Sequence, residues 1–401
     1  MRAGVSVKNR ILERVFDRWA RGAARMMRRV TEVLALAFSF VLGALVGSFT
    51  NVLIHRLPRK ENIAFPPSHC PHCDHRLGVL DLVPIFSWLA LRGKCRYCGK
   101  PIKPRYPIIE LVTALAYTAI AYFFPLYLEP LRTVGYWFLF TILLAGSAID
   151  LETFELPDEL TIPAIFVGLG IAALLGAFPA ALEGALTGAG LIALVGGYGM
   201  WVMRRFREPN HPALPIGYLN IHLALLVGAW LGWPAGLAAG IALGAYQLAF
   251  KRAPPFVDLL SLGGFLVTLA VKASSGGLSD LVAALSSGVQ GMGAMAIVVG
   301  VYWWLAPEVP DDTPEEELDP VAMGFGDVKL WAAVGAFLGW QGVLFGLAAA
   351  VVVGAIIGVI AVMRGGSRQI PFGPYLAAGA LVALFTGSAP LLDYLRGVGL
   401  I

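Results

Sequence analysis

Charge is scarce in this chain. Asp, Glu, Lys and Arg make up 14% of its 401 residues, against 58% apolar residues and 47 glycines, and mean hydropathy is +0.73. That balance excludes a soluble protein of this length and leaves a polytopic helical membrane protein. A basic, aromatic-bearing soluble domain is also missing, which excludes nucleic acid as a partner. No cleavable signal peptide stands out, because the first apolar run follows a long basic segment and ends without a small-residue cleavage site. Cysteine is nearly absent too. The four present share one short stretch, which points to a metal rather than to scattered disulfides.

What the chain does have is a series of apolar runs. They lie near 34–53, 107–124, 134–150, 160–178, 182–203, 219–233, 235–250, 257–272, 282–304, 328–340, 342–363 and 373–388, predicting an all-α protein of about 12 transmembrane helices in the lipid bilayer. Loop charge sets the orientation. Arg56, Arg59, Lys60, Arg92, Lys94, Arg96, Lys100, Lys103 and Arg105 fall in the first loop; Arg204, Arg205, Arg207, Lys251, Arg252, Arg364 and Arg368 fall in alternate later ones. The positive-inside rule then makes the first loop cytoplasmic. Residues 1–29, with nine Lys/Arg, would fall outside by the same count. Either they form an amphipathic surface helix, or translation begins at Met26 or Met27.

Two aspartates stand at the boundaries of apolar runs. Asp150 closes Trp137–Ile149, and Asp327 opens a run from within Gly324-Phe325-Gly326-Asp327. An ionisable residue so placed is expensive and marks a functional site by default. Both fall at the cytoplasmic face, and two carboxylates that meet can share a proton and activate a water between them. The reading is a membrane-embedded aspartyl protease. Asp158, after Leu156-Pro157, is the rival carboxylate, and its expected role is helix capping. Lys329 either orients a polar group or snorkels to the interface.

Cys70-Pro-His-Cys73 and Cys95-Arg-Tyr-Cys98 are separated by 21 residues. Each pair offers two thiolates from one turn, and two turns complete a closed tetrahedral site for a structural Zn²⁺. His69, His72 and His75 are surplus to that set.

Self-comparison finds a repeat. Gly217-Tyr-Leu-Asn-Ile-His-Leu-Ala-Leu-Leu-Val-Gly-Ala-Trp-Leu-Gly-Trp233 aligns with Gly324-Phe-Gly-Asp-Val-Lys-Leu-Trp-Ala-Ala-Val-Gly-Ala-Phe-Leu-Gly-Trp340 at eight identical positions of 17, and Pro255-Phe256 echoes Pro371-Phe372. A duplicated four-helix unit follows, 180–272 and 280–388. Asn220 stands where Asp327 stands and Leu219 where Gly326 stands, so the first copy is expected to be catalytically dead. Removing one repeat offset of 107 reduces the Asp150–Asp327 separation from 177 to 70 positions.

Gly47-Ser-Phe-Thr-Asn-Val-Leu-Ile-His-Arg-Leu-Pro58, the paired C-x-x-C motifs, Arg105-Tyr-Pro-Ile-Ile-Glu110, Ile149-Asp150 with Leu156-Pro-Asp158, Gly324–Asp327, and Ile370-Pro-Phe-Gly-Pro-Tyr-Leu376 together resemble the type IV prepilin peptidase family. The resemblance covers about 30–180 and 280–388. It implies a bifunctional enzyme of the bacterial cytoplasmic (inner) membrane. Such an enzyme cuts the basic leader of prepilins or pseudopilins at the cytoplasmic face, typically after a glycine, and then N-methylates the new terminus with S-adenosylmethionine. By that resemblance Asp150 and Asp327 are the catalytic pair, serving type IV pilus or type II secretion substrates. Gly93 resembles a position linked with methyl transfer, or is a turn glycine beside the zinc knuckle. Glu110 either contributes to methyl transfer or pairs with a basic loop residue.

The expected organisation is a basic extension (1–33), a first span (34–53), a cytoplasmic zinc-binding loop domain (54–106), spans carrying Asp150 (107–178), a degenerate repeat (180–272), an active repeat (280–388) and a tail (389–401). Glycines at Gly188-Ala-Gly190 and Gly196-Gly197 are expected to aid helix packing. Seven acids between Glu308 and Asp319 are expected either to attract a basic leader or to form a solvated linker. The competing class is a membrane transporter built from internal repeats.

Overall fold

The computed structural model describes residues 3–206, 216–250, 257–306, 324–363 and 371–387. The acids from Glu308 to Asp319, Pro255-Phe256, Arg207, Lys251, Arg252, Arg364, Arg368 and the 389–401 tail lie outside the described residues, as do the side chains of Arg204 and Arg205. Among the described residues the regular structure is helical, as apolar chain in lipid requires, because a helix satisfies its own backbone N–H and C=O groups. The helices are α1 (Ala3–Arg56), α2 (Phe86–Ala90), α3 (Arg105–Phe123), α4 (Pro130–Thr153), α5 (Asp158–Leu174), α6 (Phe178–Phe206), α7 (Tyr218–Leu231), α8 (Trp233–Phe250), α9 (Val257–Leu305), α10 (Phe325–Met363) and α11 (Gly373–Thr386).

Six segments are long and apolar enough to cross a bilayer by length and composition: Arg21–Arg59, Arg105–Phe123, Pro130–Thr153, Phe178–Gly199, Leu260–Leu305 and Phe325–Ile360. The chain is a multi-pass membrane protein. Two of these stretches are interrupted by a non-helical glycine, α9 at Gly277 (φ 73°) and α10 at Gly339 (φ 71°). This positive-φ backbone is open to glycine without a Cβ penalty, and it is not helical, so each of these stretches is two helices meeting at a glycine.

The basic extension is not a separate surface helix. α1 runs unbroken for 54 residues, about 80 Å at 1.5 Å per residue. A helix lying in the membrane plane needs a break before the first span, and α1 has none.

The chain packs as two compact units. One comprises 1–52 and 64–137. Within it α1 meets α3 through Gly43 and Gly47, where a Cβ would come within 2.8 Å of the Ala114 Cα and 2.7 Å of the Glu110 Cα. Asn51 Nδ2 closes the seam by donating to the Gly47 and Tyr106 carbonyls. The other unit comprises 53–63 and 138–401. There α6 packs chiefly on α10 and α9, α7 on α9 and α8, and α11 on α10. A Cβ on Gly188 would lie 2.4 Å from the Trp331 carbonyl oxygen, and one on Gly190 2.0 Å from that of Val289. These glycines serve close helix packing, as their place in an apolar helix predicts.

Candidate active site

Asp150 lies one turn before the end of α4. The helix stops at Phe154, a non-glycine residue at φ 58° whose N–H donates to the Asp150 carbonyl at 2.9 Å. Leu156-Pro157 then lead into α5, and Gly326 at the start of α10 packs on Leu156 so closely that a Cβ would sit 2.6 Å from the Leu156 Cβ. The result is a cleft of about 420 Å³ lined by both Asp150 and Asp327. The two aspartates are 6% and 8% exposed.

The Asp150 Oδ2 accepts the Gly373 N–H at 2.8 Å. Gly373 opens α11, so a helix N-terminus, with its unpaired N–H groups and positive dipole end, meets the carboxylate. A Cβ at 373 would lie 2.8 Å from that Oδ2. The sequence quotes Gly373 within a motif without indicating its task, since a backbone donor leaves no side-chain signature. Its backbone is not left-handed, so alanine meets no conformational barrier there. We therefore expect Gly373→Ala to fold yet lower kcat by about tenfold or more, a typical result of an ångström-scale displacement of a reacting group, as read by leader cleavage at saturating substrate.

Asp158 does not cap α5. Pro157 is the N-cap residue, and no side-chain cap bond forms. Asp158 Oδ1 instead accepts a hydrogen bond from Lys329 Nζ, whose side chain is 6% exposed. Lys329 therefore neither snorkels nor stands free; it ties the start of α5 to the first turn of α10, two residues beyond Asp327.

In the degenerate motif Asn220 is fully buried. Its Oδ1 accepts the Gly217 N–H at 3.1 Å, while Nδ2 donates to the Gly240 carbonyl at 3.1 Å and to Gln247 Oε1 at 2.9 Å. An aspartate there would turn a carboxylate toward two acceptors, so the amide is what closes this turn.

In the cysteine loop the four Sγ atoms lie within 4.8 Å of one another, with Cys70 and Cys98 at 3.9 Å. A Zn–S bond of about 2.3 Å sets a tetrahedral edge of roughly 3.8 Å, so the donor set fits zinc. The two knuckles match: the Cys70 N–H donates to the His75 carbonyl and the Cys95 N–H to that of Lys100, and left-handed Asp74 and Gly99 follow the second cysteines. N–H groups of Cys98 and Tyr97 pull the Cys95 thiol down to about 7. The His75 N–H favours the Cys73 thiolate, but burial and the Cys70 and Cys98 sulfurs outweigh it and push that thiol up to about 12. Asp81 ties the Gly78–Asp81 turn to the second knuckle, accepting from Arg96 Nε at 2.6 Å, Tyr97 Oη at 3.0 Å and the Gly78 N–H at 3.1 Å. Burial raises its pKa, but these donors together hold it below the usual carboxylate value. His75 stacks on Tyr97 with ring centroids 3.6 Å apart.

The two residues tied to methyl transfer have local partners. Gly93 is left-handed (φ 70°), and the Trp88 indole covers it so closely that a Cβ would come within 2.8 Å. Among the described residues Glu110 pairs with no basic loop residue; its Oε2 accepts the Ile85 N–H at 2.6 Å, and Ile85 stands at φ 65°.

Buried carboxylates opening on one cleft, in a polytopic helical membrane protein, define the class. The family model described as "Type IV leader peptidase family" matches residues 137–250 and again 255–359, and that for "Bacterial Peptidase A24 N-terminal domain" matches 41–124. The chain belongs to the type IV leader (prepilin) peptidase family. Among its relatives, the prepilin leader peptidase/N-methyltransferase of Burkholderia pseudomallei (strain 1026b) is 37% identical over 269 residues, covering 58% of this chain and 84% of the relative. That of Aeromonas hydrophila is 34% identical over 275 residues (59% and 91%). That of Aeromonas salmonicida is 28% identical over 394 residues (91% and 95%). No solved structure matches. None of these findings supports a transporter.

Proposed function

We propose that this chain is a prepilin leader peptidase and N-methyltransferase of the bacterial inner membrane, with Asp150 and Asp327 as its catalytic carboxylates at the cytoplasmic face. The observation that carries the reading is the shared cleft: two helix-end carboxylates, 6% and 8% exposed, line one cavity in a chain of this family. One carboxylate takes a proton from water as the water attacks the scissile carbonyl carbon. The other, protonated, donates to the carbonyl oxygen; collapse of the tetrahedral intermediate then breaks the C–N bond, and the amine leaves with a proton. The proton belongs to the pair, so neither role is assigned to one residue. Gly373 holds Asp150 throughout. Asp150, Glu155, Asp158, Glu159 and Asp327 line the cleft with no lysine or arginine among its described lining, a field that suits a basic leader.

Cys70, Cys73, Cys95 and Cys98 would hold zinc, which would supply scaffold rather than chemistry. The relatives' names support methyl transfer, with S-adenosylmethionine as the methyl donor. Gly93 and Glu110 remain the candidate residues for methyl transfer, by resemblance.

The internal duplication, and with it a twelve-span topology, draws support from reciprocal contacts. A Cβ on Gly190 would press on the Val289 carbonyl, and one on Gly293 on the Leu186 carbonyl; Gly188 faces Trp331 as Gly291 faces Ala224. Residues that exchange partners in this way are related by a pseudo-twofold, as in an isologous interface. The Leu-Gly-Trp glycines, Gly232 and Gly339, are both left-handed, and the family model matches twice in tandem.

Membranes bearing the chain, incubated with a prepilin and analysed by intact-mass spectrometry, should yield a product shortened at its N-terminus and heavier by about one methylene. An unprocessed mass for every prepilin and pseudopilin tried would sink the reading.

A further inference from the structure

The cleft has a neighbour that this mechanism does not use. Tyr218, of the degenerate motif, packs edge-on against Phe325 of the Gly324–Asp327 motif, ring centroids 5.8 Å apart and planes at 78°. The two hold equivalent places in the two copies, 107 positions apart like Gly217 and Gly324. Each thus touches its own counterpart, as residues on a twofold axis do. Tyrosine and phenylalanine differ only in the hydroxyl. That hydroxyl is shut off from solvent and has no hydrogen-bond partner among the described residues. The ring it belongs to packs on Phe325, two residues before Asp327. A buried hydroxyl without a partner is unfavourable, and phenylalanine, already chosen at 325, avoids it. The hydroxyl therefore calls for a use.

Its position is fixed by its surroundings. Trp303 Nε1 donates to the Ile216 carbonyl at 3.0 Å, and Trp304 beside it lines the cleft. Asn220 closes the turn that carries Tyr218 from within, through Gly217, Gly240 and Gln247. Phe325 in turn has Lys329 Nζ over its ring at 6.0 Å. The first turn of α10 is thus gripped by Tyr218 on one contact and by the Lys329–Asp158 pair on another.

We propose that Tyr218 is a positioning residue of the dyad: the degenerate copy backs the cleft through Phe325, the Tyr218 ring fixes Phe325, and the hydroxyl donates toward the Asp327 carboxylate when water and peptide fill the site. This inference rests on the reading of Asp327 as a catalytic carboxylate. It gives the copy that lacks an aspartate a task in the reaction of the copy that has one.

The test compares full-length wild type, Tyr218→Phe, Tyr218→Leu and Asp327→Asn with a prepilin substrate, reading kcat and KM separately along with thermal stability. Tyr218→Phe should fold at least as well as wild type, because it removes an unpartnered buried hydroxyl. Its kcat should fall about five- to tenfold, the range of one lost hydrogen bond, with KM unchanged. Tyr218→Leu, lacking the ring as well, should fall further. Wild-type kcat in Tyr218→Phe, or a change confined to KM or to thermal stability, would overturn the inference. Persisting cleavage in Asp327→Asn would instead overturn the dyad reading beneath it. With Asp327→Asn inactive and Tyr218→Phe at full kcat, only the inference fails.

Discussion

Asp150→Asn and Asp327→Asn are each expected to abolish leader cleavage, with kcat down by about 10³–10⁴-fold, the scale of lost general acid–base catalysis. The double variant should be little worse than either single one, because groups that act as a unit are not additive. Asparagine keeps the shape and removes the ionisation. At Asp150 the amide oxygen can still accept the Gly373 N–H, so the α4–α11 contact survives. At Asp327 the amide likewise keeps the shape of the carboxylate. Burying an uncharged amide is easier than burying a carboxylate, and both variants should melt at or above the wild-type temperature. That pairing of lost activity with retained stability separates a catalytic role from a structural one. Intact-mass analysis of the prepilin and a melting curve in detergent read the two arms. Cleavage surviving in either single variant would remove that carboxylate from the chemistry.

The two aspartates were legible because a charge at the edge of an apolar run is costly enough to need a reason, and such a signal survives without any three-dimensional information. The cysteines were legible because metal geometry constrains spacing within each turn. What stayed hidden is whatever depends on partners distant in sequence. Asp158 reads as a cap from its place after Leu156-Pro157, yet its partner is Lys329, 171 positions away. Gly373 reads as part of a motif, yet its role lies in a backbone N–H, which every residue but proline carries. The apolar runs predicted helices correctly, but hydropathy has no term for continuity. The helix breaks at Gly277 and Gly339 fall about where the paired runs were divided, but nothing in the composition of residues 3–33 marks them as an unbroken extension of the first run. The repeat was visible as identical letters. The change of Asp to Asn within it became intelligible only when Gly240 and Gln247 proved to be acceptors.

Zinc removal should have a large effect of a different kind. Between α1 and α3 the chain holds two short 3-10 turns, the five-residue α2 and isolated bridges. Much of its apolar surface faces outward: Val79 is 84% exposed, Leu80 71% and Phe86 67%. So little buried apolar area does little to order a segment of this length, and the proposed zinc is expected to supply the rest. Structural zinc contributes on the order of 10 kcal/mol or more in small cysteine sites, far above what the Asp81–Arg96 contact can replace. Cys95→Ser, or exhaustive chelation, should therefore release one zinc per chain and open the loop to trypsin at its many lysines and arginines. Leader cleavage should suffer much less than in the dyad variants, because Asp150 and Asp327 belong to the other compact unit. Metal analysis, limited proteolysis and the cleavage assay on the same preparation give all three readings. A zinc-free chain whose loop resists trypsin as the wild type does would refute the scaffold role, and cleavage lost as completely as in Asp150→Asn would mean that the metal does more than hold the loop.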